Sequence, residues 1–265
     1  MTHIVGILNL TPDSCSGDGL QGDPATALQR IDQMIEQGVS VIDIGAESTR
    51  PGARALLPEE EWQRLAPVLE KLGTRLEKTQ FSLDTRHPET AAGALELGFH
   101  WINDVEGGRN PKMLDCMKKS DCQYVIMHAL SIPVDPKETL SLFEDPVEAV
   151  LSWAEGRICE LEKAGIAQSR LILDPGIGFG KTAEQSLSLI KNIHRLKALG
   201  LPLLIGHSRK SFLKLFTDKP YEGRDPETLA CSSYLASKDV AYLRVHDWES
   251  HVSLLKIQQA LSEAP

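Results

Sequence analysis

Cysteine is scarce in this chain and nowhere paired. Its five thiols, Cys15, Cys116, Cys122, Cys159 and Cys231, are odd in number and form no C-x-x-C. Neither a disulfide framework nor a zinc site is indicated, and the expectation is reduced, mostly buried thiols in a cytoplasmic protein. Long apolar runs are missing too. None approaches the ~18 residues that cross a bilayer, and Met1-Thr2-His3 leads straight into an apolar run with no room for a signal peptide. Basic residues are the minority, 28 Lys and Arg against 37 Asp and Glu, and the formal charge is -9. That balance argues against a general binder of nucleic acid or of anionic membrane. No Gly/Ser/Pro-rich linker divides the 265 residues, so 1–265 reads as one domain.

Familiar catalytic signatures are absent as well. The eight histidines show no H-E-x-x-H, no serine sits in a G-x-S-x-G elbow, and no cysteine has an identifiable base. A protein nucleophile is therefore not expected. Gly176-Ile177-Gly178-Phe179-Gly180-Lys181-Thr182 looks like a phosphate-gripping loop, but Pro175 stands where the P-loop needs glycine. Lys181 likewise replaces the third glycine of the dinucleotide fingerprint. These glycines instead suit close approach of backbone to a flat ligand beside Asp174.

What the sequence does have is a repeated polarity. Val5-Gly6-Ile7-Leu8 runs into Asn9, Val41-Ile42 into Asp43, Phe81-Ser82-Leu83 into Asp84, and Trp101-Ile102 into Asn103. Tyr124-Val125-Ile126-Met127 then runs into His128, and Leu171-Ile172-Leu173 into Asp174. Leu203-Leu204-Ile205-Gly206 leads to His207-Ser208-Arg209-Lys210, and Val240-Ala241-Tyr242-Leu243 to Arg244-Val245-His246-Asp247. Buried parallel strands read as continuous apolar runs, with ligand-facing groups just past their carboxyl ends.

Segments of helical period separate the runs. Pro24 to Gln37 puts Leu28, Ile31, Met34 and Ile35 on one stripe, with Asp23 to cap its start and Gly38 its end. Pro58 to Gly73, Pro88 to Leu97, Pro111 to Lys118, Pro146 to Ala164, Glu184 to Leu199, Pro226 to Ser237 and Ser250 to Ser262 follow. Strand then helix, eight times, predicts an α/β protein: a single-domain (β/α)8 TIM barrel. Two long loops, Thr11 to Gly22 and Gly45 to Leu57, follow strands one and two and are placed to act as lids.

Asp84, Asn103 and Asp174 come from three strand ends and offer acceptors plus one amide, a set that matches a fused heterocycle carrying an amino group and ring N–H groups. Lys210 could reach its carbonyl. Arg244 and His246 lie two apart after the last run, so an extended backbone points both the same way, toward phosphate oxygens. Arg50, Arg209, Lys210, Arg244 and His246 make the mouth basic on an acidic body, which suits a small anionic ligand. Asn9 supplies a neutral oxygen to a hard cation such as Mg2+.

Together these stretches resemble the dihydropteroate synthase family over nearly the whole chain. The resemblance rests on Gly6-Ile7-Leu8-Asn9-Leu10-Thr11-Pro12-Asp13-Ser14, Asp43-Ile44-Gly45-Ala46-Glu47-Ser48-Thr49-Arg50-Pro51-Gly52, Ser82-Leu83-Asp84-Thr85 and Ile102-Asn103-Asp104. It continues through Met127-His128, Leu173-Asp174-Pro175-Gly176-Ile177-Gly178-Phe179-Gly180-Lys181, Ser208-Arg209-Lys210-Ser211 and Arg244-Val245-His246-Asp247. The family joins 6-hydroxymethyl-7,8-dihydropterin diphosphate to 4-aminobenzoate in folate biosynthesis. The resemblance implies that Asp84, Asn103, Asp174 and Lys210 hold the pterin, with Met127 and Phe179 against its ring. It implies Mg2+ on Asn9, diphosphate on Thr49, Arg244 and His246, and an aminobenzoate pocket built with Arg50, Pro51 and Ser208, where sulfonamides compete. Asp13 would stabilise a pterin cation after diphosphate leaves, and a homodimer is expected. A pterin-binding methyltransferase barrel acting on methyltetrahydrofolate, or a non-catalytic pterin-binding paralogue, shares the pterin acceptors and stays open at this point.

Overall fold

The architecture follows from one alternation. In the computed structural model, which describes residues 1–11, 23–48 and 52–263, the chain runs β1 His3–Asn9, α1 Pro24–Gln37, β2 Val41–Gly45, α2 Pro58–Leu69, β3 Gln80–Asp84 and α3 Pro88–Glu96. It continues β4 Trp101–Asp104, α4 Pro111–Lys118, β5 Gln123–Met127, α5 Pro146–Lys163, β6 Leu171–Asp174, α6 Ala183–Lys191 and α7 Ile193–Leu196. β7 Leu204–Ile205, α8 Asp225–Ser237, β8 Tyr242–Val245 and α9 Trp248–Glu263 complete it. Every paired strand is parallel, in the order β6-β5-β4-β3-β2-β1-β8-β7. A single parallel bridge, Leu173 to Leu203, links β6 to β7 and brings the sheet round into a nearly closed barrel. That seam is thin because β7 is two residues long, entered from Pro202, which has no N–H to give to a ladder.

The helices start where the sequence places their caps. Asp23 accepts from the N–H groups of Ala25 and Thr26 at 3.2 and 3.0 Å, and Gly38 closes α1 at φ 86°. Two expected helices are shorter than their apolar period. Pro67, which lacks an N–H, sits in the last turn of α2, and the helix stops at Leu69 rather than Gly73. The stretch expected as one helix from Glu184 to Leu199 breaks at Asn192, whose side-chain amide donates to the Ser188 carbonyl at 2.9 Å. Residues 128–145 and 206–224 also form long connections at the carboxyl ends of β5 and β7, where only the joins after strands one and two were expected to be long. Pro133 and Asp135-Pro136 were the turn signals for the first of these.

Apolar side chains fill two places. The larger core lies between sheet and helices, with Ile31, Met34, Ile42, Leu65, Phe81 and Tyr124 among its fully buried members. A smaller one, Val5, Val41, Trp101, Val125, Ile172 and Leu204 with Tyr242 against them, plugs the barrel interior. Trp101 and Tyr242 meet edge to face there, centroids 4.8 Å apart.

Candidate active site at the strand ends

Successive strand residues alternate faces, so the residue two beyond each plug residue faces the same interior one layer higher. Two beyond Val41 is Asp43, and two beyond Trp101 is Asn103; two beyond Ile172 is Asp174, and two beyond Tyr242 is Arg244. Register brings Asp84 level with Gly45 and Asn103, and Met127 level with Asp174. The upper layer is therefore polar directly above an apolar floor. Gly206, two beyond Leu204, adds no side chain; a Cβ there would stand 3.4 Å from Asp174 Oδ2 and 3.9 Å from Lys210 Nζ.

The polar layer is wired together. Arg244 donates from Nε to Asp43 at 2.6 Å and from its terminal nitrogen to Asp84 at 2.5 Å. Asn103 donates its amide to the same Asp43 oxygen at 3.2 Å, and the other Asp43 oxygen is buried without a partner. Burial opposes the Arg244 charge, but the two carboxylates more than restore it. Asp84 is pushed up to about 7 by burial, against the pull of Arg244 and with Asp43 adding to the push. Burial also raises Asp174, with Lys210 pulling the other way. Asp174 is only 4% exposed and accepts from the Gly176 N–H at 2.7 Å. Lys210, lowered to about 8 by burial, donates to the Ile177 carbonyl at 2.7 Å and lies 4.4 Å from the Phe179 ring centre. Phe179 packs with Met127, Val105 and Ala129 into an apolar wall beside these groups.

Most of the expected site residues that are described gather here: Asp84, Asn103, Met127, Asp174, Phe179, Lys210 and Arg244. His246 and Ser208 sit together at the rim, where Nδ1 of His246 lies 2.9 Å from the Ser208 hydroxyl and its Nε2 3.0 Å from the Tyr221 hydroxyl. Asn9 ends β1 half-buried, level with Gly45, and no hydrogen bond engages its side chain among the described residues. Asp13, Thr49, Arg50 and Pro51 lie outside the described residues. Another expected part of the basic mouth stays at the rim, beside the Tyr221 ring, and is anchored to a helix. Arg209 adopts φ 59° and makes a double hydrogen bond to Asp225 at 2.6 and 2.7 Å, so its charge is met by α8.

Three residues of the site carried no assigned role in the sequence. Asp43 had the signal, since it ends its run as Asp84 and Asp174 end theirs. Lys181 had none: it is 7% exposed, and its Nζ lies 2.8 Å from His128 Nδ1 and donates to the carbonyls of Phe179 and His128 at 3.0 and 3.3 Å. Burial lowers Lys181 to about 7, and burial together with the Lys181 charge lowers His128 to about 3. The pair staples the Gly176–Gly180 turn to the end of β5. Gly176 makes that approach feasible, because at φ 68° a Cβ would lie 1.9 Å from the His128 carbonyl oxygen. Tyr221, held near His246, lies on a connection that gave no sequence signal.

A (β/α)8 barrel with buried carboxylates, an amide, a lysine and an arginine over a closed apolar floor is an enzyme-type barrel with its ligand site at the carboxyl mouth. The chain belongs to the family described as pterin binding enzyme, whose profile matches residues 5–246. It is 35% identical over 262 residues to the dihydropteroate synthase of Escherichia coli, covering 99% of this chain and 92% of that protein. The crystal structure of dihydropteroate synthase from Anaplasma phagocytophilum, with bound 6-hydroxymethylpterin-monophosphate, is 38% identical at a TM-score of 0.88, covering 98% and 99% of the two chains. That of Xanthomonas albilineans with 4-aminobenzoic acid is 35% identical at a TM-score of 0.89, covering 100% and 94%. The chain spans 58% of the length of another relative, the bifunctional folate synthesis protein of Chlamydia caviae, and is 38% identical to it across 96% of its own length.

Proposed function

We propose that this chain is a dihydropteroate synthase, a transferase that condenses 6-hydroxymethyl-7,8-dihydropterin diphosphate with 4-aminobenzoate in folate biosynthesis. The observation that carries the reading is the acceptor set Asp84, Asn103 and Asp174 with Lys210, beside the Met127–Phe179 wall, at one barrel mouth. Asp174 and Asp84 accept from the pterin amino and ring N–H groups, Asn103 supplies both donor and acceptor, and Lys210 donates to the ring carbonyl. The bond from the pterin methylene to the diphosphate oxygen breaks, and its electron pair leaves with diphosphate. The arylamine nitrogen then forms the new C–N bond and releases a proton. In this reading Asp13 serves to stabilise the cationic carbon, Thr49 and His246 to bind diphosphate, and Arg50, Pro51 and Ser208 to shape the aminobenzoate pocket, where sulfonamides would compete. No protein nucleophile is needed, because positioning and fixed charges supply the rate.

Arg244 has a double task in this reading. Its contact with Asp84 covers one of the acceptors the pterin needs, so ligand entry has to release that contact while Asp43 keeps hold of Nε. The freed end of Arg244 then faces the diphosphate. Asn9 fits Mg2+ as one neutral oxygen, since such an ion usually takes few protein ligands and completes its shell with water and phosphate; when bound, it supplies charge neutralisation for the departing diphosphate. We read the protein as a cytoplasmic homodimer. Turnover of both substrates by the purified chain, followed as dihydropteroate formation, tests the reading. A folded protein that binds pterin but makes no dihydropteroate refutes it, as does methyl transfer from methyltetrahydrofolate.

A further inference from the structure

Outside the barrel mouth, at the foot of the second long loop, Glu47, Glu61 and His87 bring three ligand atoms within 4.8 Å of one another. They come from three elements: the turn after β2, the first turns of α2, and the turn between β3 and α3. Glu61 is fully buried, and burial raises its carboxyl above the usual range. One of its oxygens accepts from the Thr85 hydroxyl at 2.6 Å; the other is buried with no hydrogen-bond partner. His87 Nε2 is likewise buried without a hydrogen-bond partner, while the Thr90 hydroxyl lies near enough to Glu61 to favour its charged form. A native interior rarely leaves such atoms together without a guest, because a buried donor or acceptor without a partner has given up its hydration for nothing.

From this geometry we infer that Glu47, Glu61 and His87 form a site for a divalent transition cation of the Zn2+ type, separate from the pterin site. A mixed set of one imidazole nitrogen and two carboxylate oxygens favours Zn2+ over Mg2+, which selects oxygen alone. Ligands at about 2.0–2.2 Å around one ion stand roughly 3.3 Å apart. Glu47 Oε2 and His87 Nε2 are 3.8 Å apart, so they need draw together by only a fraction of an ångström. The supporting contacts already exist. Arg86 holds Glu47 through two hydrogen bonds of 2.8 and 3.0 Å, and the Leu56 N–H takes a further lone pair at 2.9 Å. Of about four lone-pair directions on a carboxylate, one is left facing the cluster. Thr85 orients Glu61 in the same way.

The Glu47 bond to Leu56 ties together the two ends of the stretch that carries Thr49, Arg50 and Pro51. An ion on Glu47 would therefore fasten that loop's base to α2 and to the β3–α3 turn. The inference does not depend on which reaction the mouth performs.

The test is titration of the chelator-treated full chain with Co2+ as a spectroscopic stand-in, then with Zn2+. One saturable equivalent is expected, with visible d–d absorption and one hyperfine-shifted imidazole N–H in the proton spectrum. Glu61→Gln and His87→Gln should each weaken uptake by about tenfold or more, while Asn9→Ala leaves it unchanged. Full uptake in both cluster variants overturns the site. So does the absence of saturable uptake by the wild-type chain. Should neither variant fold, the shifted imidazole signal of the wild-type chain decides alone, and its absence is fatal to the proposal.

Discussion

The barrel interior has two layers, which on β2, β4, β6 and β8 lie two residues apart, and they obey opposite rules. The lower layer, Val5, Val41, Trp101, Val125, Ile172, Leu204 and Tyr242, is closed and apolar. The upper layer, Asp43, Asp84, Asn103, Asp174 and Arg244, is polar, and the Asp84 and Asp174 carboxylates lie where burial works against their charge. The lower layer lowers the free energy of the fold; the upper layer raises it and holds groups ready for a ligand. Asp43 is the clearest case. It is 1% exposed, tethers Arg244 and Asn103 with one oxygen, and leaves the other unsatisfied. Removing a neighbour's charge from such a cluster leaves an uncompensated one behind, so these residues are coupled in a way the floor residues are not.

The comparison can be broken most directly at Trp101. Trp101→Ala should cost about 3–5 kcal/mol of stability through the cavity it opens, measured by urea unfolding. Pterin affinity in the protein that remains folded should change little. If affinity falls as far as stability does, the two layers are not separable.

Asp174→Ala should do the reverse. Leaving the pterin edge unsatisfied costs about 1–3 kcal/mol of binding, roughly 5- to 150-fold in Kd, with a smaller stability loss than Trp101→Ala. Calorimetric titration with the pterin alcohol checks it, and unchanged affinity removes Asp174 from the site.

Arg244→Ala divides the upper layer itself. We expect the diphosphate ester to lose affinity by about tenfold or more, in keeping with the strength of charge-assisted contacts, and the bare pterin alcohol to lose little. The alcohol could even gain, because Asp84 is freed. Equal losses for both ligands would place Arg244 on the ring or in the scaffold.

The smallest effect concerns pH. The Asp84 carboxyl is raised to about 7 from an ordinary 3.8. Between those values the folded chain keeps a proton that the unfolded chain has lost, so this group's contribution to stability falls as pH rises through the window. Asp84→Asn should flatten that part of the profile, seen by comparing unfolding at about pH 5 and about pH 7.5. An unaltered slope would mean that Arg244 keeps Asp84 ionised throughout.

Local rules made much of this protein legible from its residues alone. Apolar runs ending in polar groups located all eight strands, Asp23 and the helix-opening prolines located helix starts, and Gly38 located the end of α1, because strand and helix periodicities and caps act over a few residues. The clustering of Asp84, Asn103 and Asp174, which we propose hold the pterin, was readable for the same reason: each sits at a strand end. The tertiary structure alone decided how the charges pair. Arg209 and Arg244 look equivalent in sequence, yet one turns to Asp225 on α8 and the other reaches Asp43, 201 residues away, and Asp84, 160 away. Only closure of β8 against β1 sets Arg244 beside those carboxylates. Lys181 loses solvent only once the Gly176–Gly180 turn folds over His128, and Glu47, Glu61 and His87 meet only when three connections pack together. A charged side chain's partner is a property of the closed barrel, since the burial that makes pairing obligatory does not exist until the strands have joined.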